Sequence, residues 1–158
     1  MNQLTGKEAQ GFVGKFEAVF KGLPHLPKGI IDFIVSISPW LAGLGGIGSI
    51  YGGLTSLFFS QRRAGMWQYV KAYSGIGNGY FIATAIFSLL TGALLLMAFN
   101  PLKNRKLTGW MYLFWVNILG LIQSLVSMVF GYGGLMGVLV SAAIGFYVLF
   151  EVKKSYKK

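Results

Sequence analysis

The stretch Gly43-Leu44-Gly45-Gly46-Ile47-Gly48 carries the spacing G-x-G-x-x-G, with which a backbone can wrap a dinucleotide pyrophosphate. That chemistry needs a strand before the glycines, a helix opening on them and an acidic residue about 20 positions later. Here Pro39 stands upstream, and no Asp or Glu follows before Glu151. The glycines call for another purpose. Gly48 and Gly52, like Ser49 and Gly53, are small residues four apart, and on a helical face such residues let two backbones touch.

Few other residues are equipped for chemistry. Cysteine is absent and His25 is the single histidine, so neither a thiol nucleophile nor a convergent ligand set can be assembled. No metal or other cofactor is expected. The four acids are Glu8, Glu17, Asp32 and Glu151. Asp32, at the edge of an apolar segment, is the candidate functional acid, placed to contact a proton or cation or to pair with Lys28. Nothing here builds a nucleophile with its base, so an enzyme is not expected. Uncharged polar groups remain: Thr84, Ser88 and Thr91 in one stretch, Asn117, Gln123, Ser124 and Ser127 in another. They can hydrogen-bond helices together or line a neutral path for water or ions.

The elements that must position these groups follow from composition. Of 158 residues, 54% are hydrophobic and 11% charged, against about 25% charged in ordinary soluble domains. The charges are clustered, and the uncharged runs between clusters approach or exceed the roughly 20 helical residues that cross about 30 Å of hydrocarbon. The pattern implies an all-α integral membrane protein with four transmembrane helices, at about 39–59, 77–99, 107–130 and 134–150. Residues 1–38 form an amphipathic interfacial segment and 151–158 a basic tail. In the N-terminal segment Phe12, Val13, Phe16, Val19, Phe20 and Leu23 recur at helical spacing opposite Lys7, Glu8, Lys15, Glu17 and Lys21, as in helices that lie on a membrane. Pro24 and Pro27 break that helix. Ser38-Pro39-Trp40 then signals a new start, with Ser38 as cap. The loop 60–75 places Met66, Trp67, Val70 and Tyr73 on one face and reads as a second interfacial helix.

The net charge of +10 flanks apolar spans. There it serves topology and contact with anionic lipids rather than nucleic acid. The N-terminal region, the second loop and the tail hold eleven of the 14 Lys and Arg residues, and the first loop holds three. That bias puts both termini in the cytoplasm.

The apolar, proline-broken N-terminal segment, "SPWLAGLGGI", the basic hairpin followed by "GWMYLFW" and the ending "IGFYVLFEVKKSYKK" resemble small, uncharacterised four-span membrane proteins of bacteria. The resemblance implies a bacterial inner membrane and no known activity.

These features imply a non-enzymatic structural or accessory subunit of an oligomer or larger complex. Gly48, Gly52 and Gly53, with the ridge Gly137, Ser141 and Gly145, would pack against helices of a second copy or of another membrane protein. The alternative is a small homo-oligomeric channel or transporter that uses the polar residues above. Ridges that point outward favour assembly; polar stripes that face a wet lumen favour transport.

Overall fold

The computed structural model describes residues 11, 13–14, 25–61, 78–130 and 135–156. Among the described residues the chain is almost entirely helical, in four helices each long and apolar enough to cross a membrane. Helix α1 spans Lys28–Gln61, α2 Asn78–Lys103, α3 Leu107–Val129 and α4 Leu135–Val152, the last followed by a 3₁₀ turn at Lys153–Ser155. Most of the amphipathic pattern before Pro24, the interfacial helix expected in the first loop and the turn at 131–134 lie outside the described residues. Val13 is described, and it is buried in the core of the bundle.

The helix start expected at Pro39 does not occur, because α1 runs through this proline without a break. Proline lacks the N–H that would bond the carbonyl four residues back, here that of Val35. The Ser38 hydroxyl donates to the Val35 carbonyl instead, at 3.0 Å. Ser38 therefore repairs the helix from within rather than capping a new one. At 34 residues, α1 is about 51 Å long, roughly 20 Å more than a hydrocarbon core requires. With Gly46 set against Gly92 and Gly53 against Ala85, the end of α2 at Lys103 stands level with Val35, and only the first two turns of α1 reach past it.

That level is fixed by how α1 and α2 pack. A Cβ on Gly46 would lie 3.2 Å from the Gly92 carbonyl, and one on Gly92 would lie 2.9 Å from the Gly46 carbonyl and 2.6 Å from Ile50 Cγ1. Gly53 closes in the same way on Ala85 O and Leu89, and Gly43 on the Phe99 ring. Gly46 and Gly53 are seven residues apart, two helical turns, so one stripe of α1 meets α2 along most of its length.

Helices α2 and α3 form a tight hairpin. The N–H of Lys106 bonds the Pro101 carbonyl and the N–H of Arg105 bonds that of Leu102, both at 2.9 Å. This is the paired closure of a Schellman helix end. Arg105 takes the left-handed backbone position, φ 49°, usually filled by glycine. Across the hairpin, a Cβ on Gly109 would stand 2.6 Å from the Leu102 nitrogen.

Most of the core lies at the hairpin end. Leu102, Trp110, Met111, Phe114, Phe146, Leu149 and Phe150 are buried there, with Val35, Val152 and Tyr156. Toward the other end large apolar residues face outward, including Phe58, Val129 and Met136, with Val129 83% exposed.

Substitution of Gly92 or Gly109 by alanine should lower stability by about 1–3 kcal/mol, the usual cost of overpacking, because the atoms each Cβ meets include backbone that cannot swing aside. Arg105→Gly should raise stability by about 1 kcal/mol by relieving the left-handed position. Thermal unfolding of the detergent-purified variants, followed by circular dichroism, measures both.

Candidate functional site

The six Lys and Arg residues among the described residues all lie at the hairpin end: Lys28, Lys103, Arg105, Lys106, Lys153 and Lys154. The opposite end is closed by rings, with Tyr80 edge-on to Phe130 at 5.6 Å. Among the described residues the charges thus gather at one end.

At the basic end, the beginning of α1 is tied to the end of α4 by side chains far apart in sequence. The Glu151 carboxylate meets His25 Nδ1 at 2.8 Å through one oxygen and accepts the Leu26 N–H at 3.1 Å through the other. The Tyr156 hydroxyl lies 2.9 Å from Ser38 Oγ. Because Ser38 gives its proton to Val35, Tyr156 is the donor, and the chain Tyr156 to Ser38 to Val35 carries the repair of the proline gap out to the C-terminal side. Burial pushes the Tyr156 phenol above its ordinary value, so the donor keeps its proton through the neutral range.

An indole holds the same end from α3. Trp110 Nε1 donates to the Leu149 carbonyl in the last turn of α4, at 2.7 Å. Lys153 Nζ stands 5.3 Å above the Trp110 ring, within cation–π range. Phe114, Phe146 and Phe150 pack round the indole with ring centroids 5.7–6.4 Å apart. Between the start of α1 and the end of α4 lies an open pocket of about 330 Å³, whose polar lining is His25, Lys28, Asp32, Glu151, Lys154 and Ser155. Asp32, the candidate acid, is an exposed part of that lining.

The other sequence candidates are dispersed. Gly53 is buried against α2, and a Cβ on Gly145 would meet Asn117 Oδ1 across the α3–α4 contact. Gly48, Gly52 and Gly137 have no heavy atom within 4 Å of the place a Cβ would take, and Ser141 is exposed with its hydroxyl on the Val138 carbonyl. On α3, Asn117 Nδ2 donates to Leu113 O, Ser124 to Gly120 O and Ser127 to the Gln123 carbonyl. Thr84 and Ser88 are half-buried on α2, and the hydroxyl of Thr91 is buried without a partner. Among the described residues no hydrogen bond joins the α2 set to the α3 set.

Gly46, Gly109, Trp110 and Tyr156 escaped the sequence reasoning. The seven-residue interval from Gly46 to Gly53 was an available signal; a bond across 118 positions, as between Ser38 and Tyr156, leaves none. No protein family matches the chain, and neither a curated protein nor a solved structure matches it significantly.

Ser38→Ala strands the Val35 carbonyl and should cost about 1–3 kcal/mol, whereas Tyr156→Phe, which leaves Ser38 bonded to Val35, should cost about 1 kcal/mol. The Tyr156 contribution is complete below pH 10.0, the ordinary tyrosine value, and is lost as pH rises through its raised value in the folded protein. Chemical unfolding of the two variants, repeated between neutral and strongly alkaline pH, separates the effects.

Proposed function

We propose that the chain is a multi-pass integral membrane protein of a bacterial inner membrane, with the basic end at the cytoplasmic face. It acts as a non-enzymatic structural or accessory subunit that assembles through the outer glycine face of α1. The observation that carries this reading is the division of labour among the α1 glycines. Gly43, Gly46 and Gly53 are taken up by α2, while Gly48 and Gly52, one turn apart, stand open. They lie between the exposed side chains of Leu44, Ile47 and Tyr51. In lipid, a helix gains nothing from hiding apolar side chains, so a groove of glycines between large residues gains its contact from the close approach of another helix.

The orientation rests on the gathering of Lys28, Lys103, Arg105, Lys106, Lys153 and Lys154 at one end, which the positive-inside bias assigns to the cytoplasm. The channel alternative has less support, since Asn117, Ser124 and Ser127 each donate to a carbonyl of their own helix and among the described residues no hydrogen bond joins the polar groups of α2 to those of α3.

In lipid nanodiscs the wild-type protein should give a discrete oligomer by light scattering. Gly48→Leu combined with Gly52→Leu should reduce it to a monomer while changing the stability of the bundle by no more than about 0.5 kcal/mol, as for surface positions. A monomeric wild type, or an unchanged mass in the double variant, would end this reading. Orientation is checked separately, because the chain has no cysteine. A single Asn104→Cys variant should react with an impermeant maleimide in inside-out vesicles and stay unlabelled in intact spheroplasts.

A further inference from the structure

The pocket at the basic end contains charges that no hydrogen bond or ion pair holds among the described residues. Glu151 is engaged through both oxygens, by His25 and the Leu26 N–H. Lys28, Lys154 and Asp32 line the same space, and no hydrogen bond or ion pair satisfies any of the three among the described residues. Lys28 and Asp32 are one helical turn apart, a spacing at which opposite charges commonly meet, yet they do not pair. Lys154 acts on the Glu151 carboxylate electrostatically without an ion pair, so two ammonium groups and the Asp32 carboxylate face a common cavity beside Glu151.

The complement of that arrangement is a phosphate beside a primary ammonium. A phosphate takes two lysine donors readily, and an ammonium carries the hydrogens that Asp32 can accept. A quaternary ammonium has none, and is held instead by aromatic faces, which the described lining lacks. The size agrees. About 330 Å³ is at the low end of ligand pockets, which run to roughly 1,000 Å³, and suits a headgroup rather than a nucleotide. On the same first turns of α1, Ile30 and Phe33 are exposed and offer apolar surface beside the pocket, where acyl chains would lie.

We propose that the pocket formed by Lys28, Asp32 and Lys154 binds the phosphoethanolamine headgroup of a membrane lipid, the lysines holding the phosphate and Asp32 the amine. This rests on the reading that the helices span a bilayer with this end at its surface.

The test uses the full-length protein, delipidated in detergent and offered equal amounts of palmitoyl-oleoyl phosphatidylethanolamine, phosphatidylglycerol and phosphatidylcholine, with bound lipid read by native mass spectrometry. Phosphatidylethanolamine should be retained about threefold over the other two, the scale of one partly exposed charge pair. Asp32→Asn should abolish its preference over phosphatidylglycerol while phosphate-dependent binding persists. Lys28→Gln with Lys154→Gln should lower retention of both lipids, and circular dichroism shows whether each variant is folded. Excess soluble glycerophosphoethanolamine should displace the lipid where glycerophosphocholine does not. Displacement at equimolar amounts would assign the pocket to a soluble ligand and overturn the lipid proposal. Equal retention of the three lipids, or a preference that survives Asp32→Asn, would overturn it as well. Maleimide labelling reports membrane orientation independently of either result, so a failed headgroup site and a failed membrane reading are told apart.

Discussion

The architecture depends on the near-contact of two backbones. Where Gly46 faces Gly92, neither helix has room for a single carbon between itself and the other's carbonyl. In the bilayer setting proposed above, contact with lipid and contact with protein offer similar hydrophobic return, and association would depend on dispersion summed over closely approached atoms. Once α1 and α2 are held this near, the hairpin at Asn104–Lys106 has its position. With it are fixed the start of α3 and the place where α4 returns.

The second fastening is of a different kind. At the basic end α3 and α4 are joined by an aromatic cluster, and its one polar atom, the Trp110 indole nitrogen, is spent on the Leu149 carbonyl. Without that acceptor the buried indole N–H would be an unmet donor in a place water reaches poorly. The interlock explains why the core is lopsided. Rings can fill the space between α3 and α4 near Trp110, Phe114, Phe146 and Phe150, but beyond Asn117 and Gly145 the facing positions become small. Toward the other end the places a Cβ would take on Gly120 and Gly137 have nothing within 4 Å.

Helix number and approximate extent were legible in the sequence because charge placement and run length are local properties, and four apolar runs became four helices. The passage of α1 through Pro39 was not legible. Proline followed by tryptophan reads locally as a start, and what defeats that reading is the hydroxyl of Ser38 on Val35, itself held by Tyr156 from the far end of the chain. The glycines were recognised as packing residues from spacing, but which of them turn inward depends on the rotation of α1 about its axis. Sequence spacing leaves that rotation open, and so Gly46 was missed while Gly48 and Gly52, on the open side, were chosen. Asp32 was noticed for its isolation in an apolar stretch. Its neighbour Lys154 belongs to another element, and only folding brings the two to one pocket.

The bond between Ser38 and Tyr156 also has a place in time. A ribosome adding about 5–20 residues each second reaches Tyr156 roughly 6 to 24 seconds after Ser38, since 118 positions separate them. Throughout that interval α1 has its proline and its serine but not the phenol that steadies them, and the Glu151 clasp on His25 is missing as well. The first helix is therefore made early and secured late. Synthesis of the segment that carries Glu151 and Tyr156, rather than emergence of α1, is the event that closes the basic end.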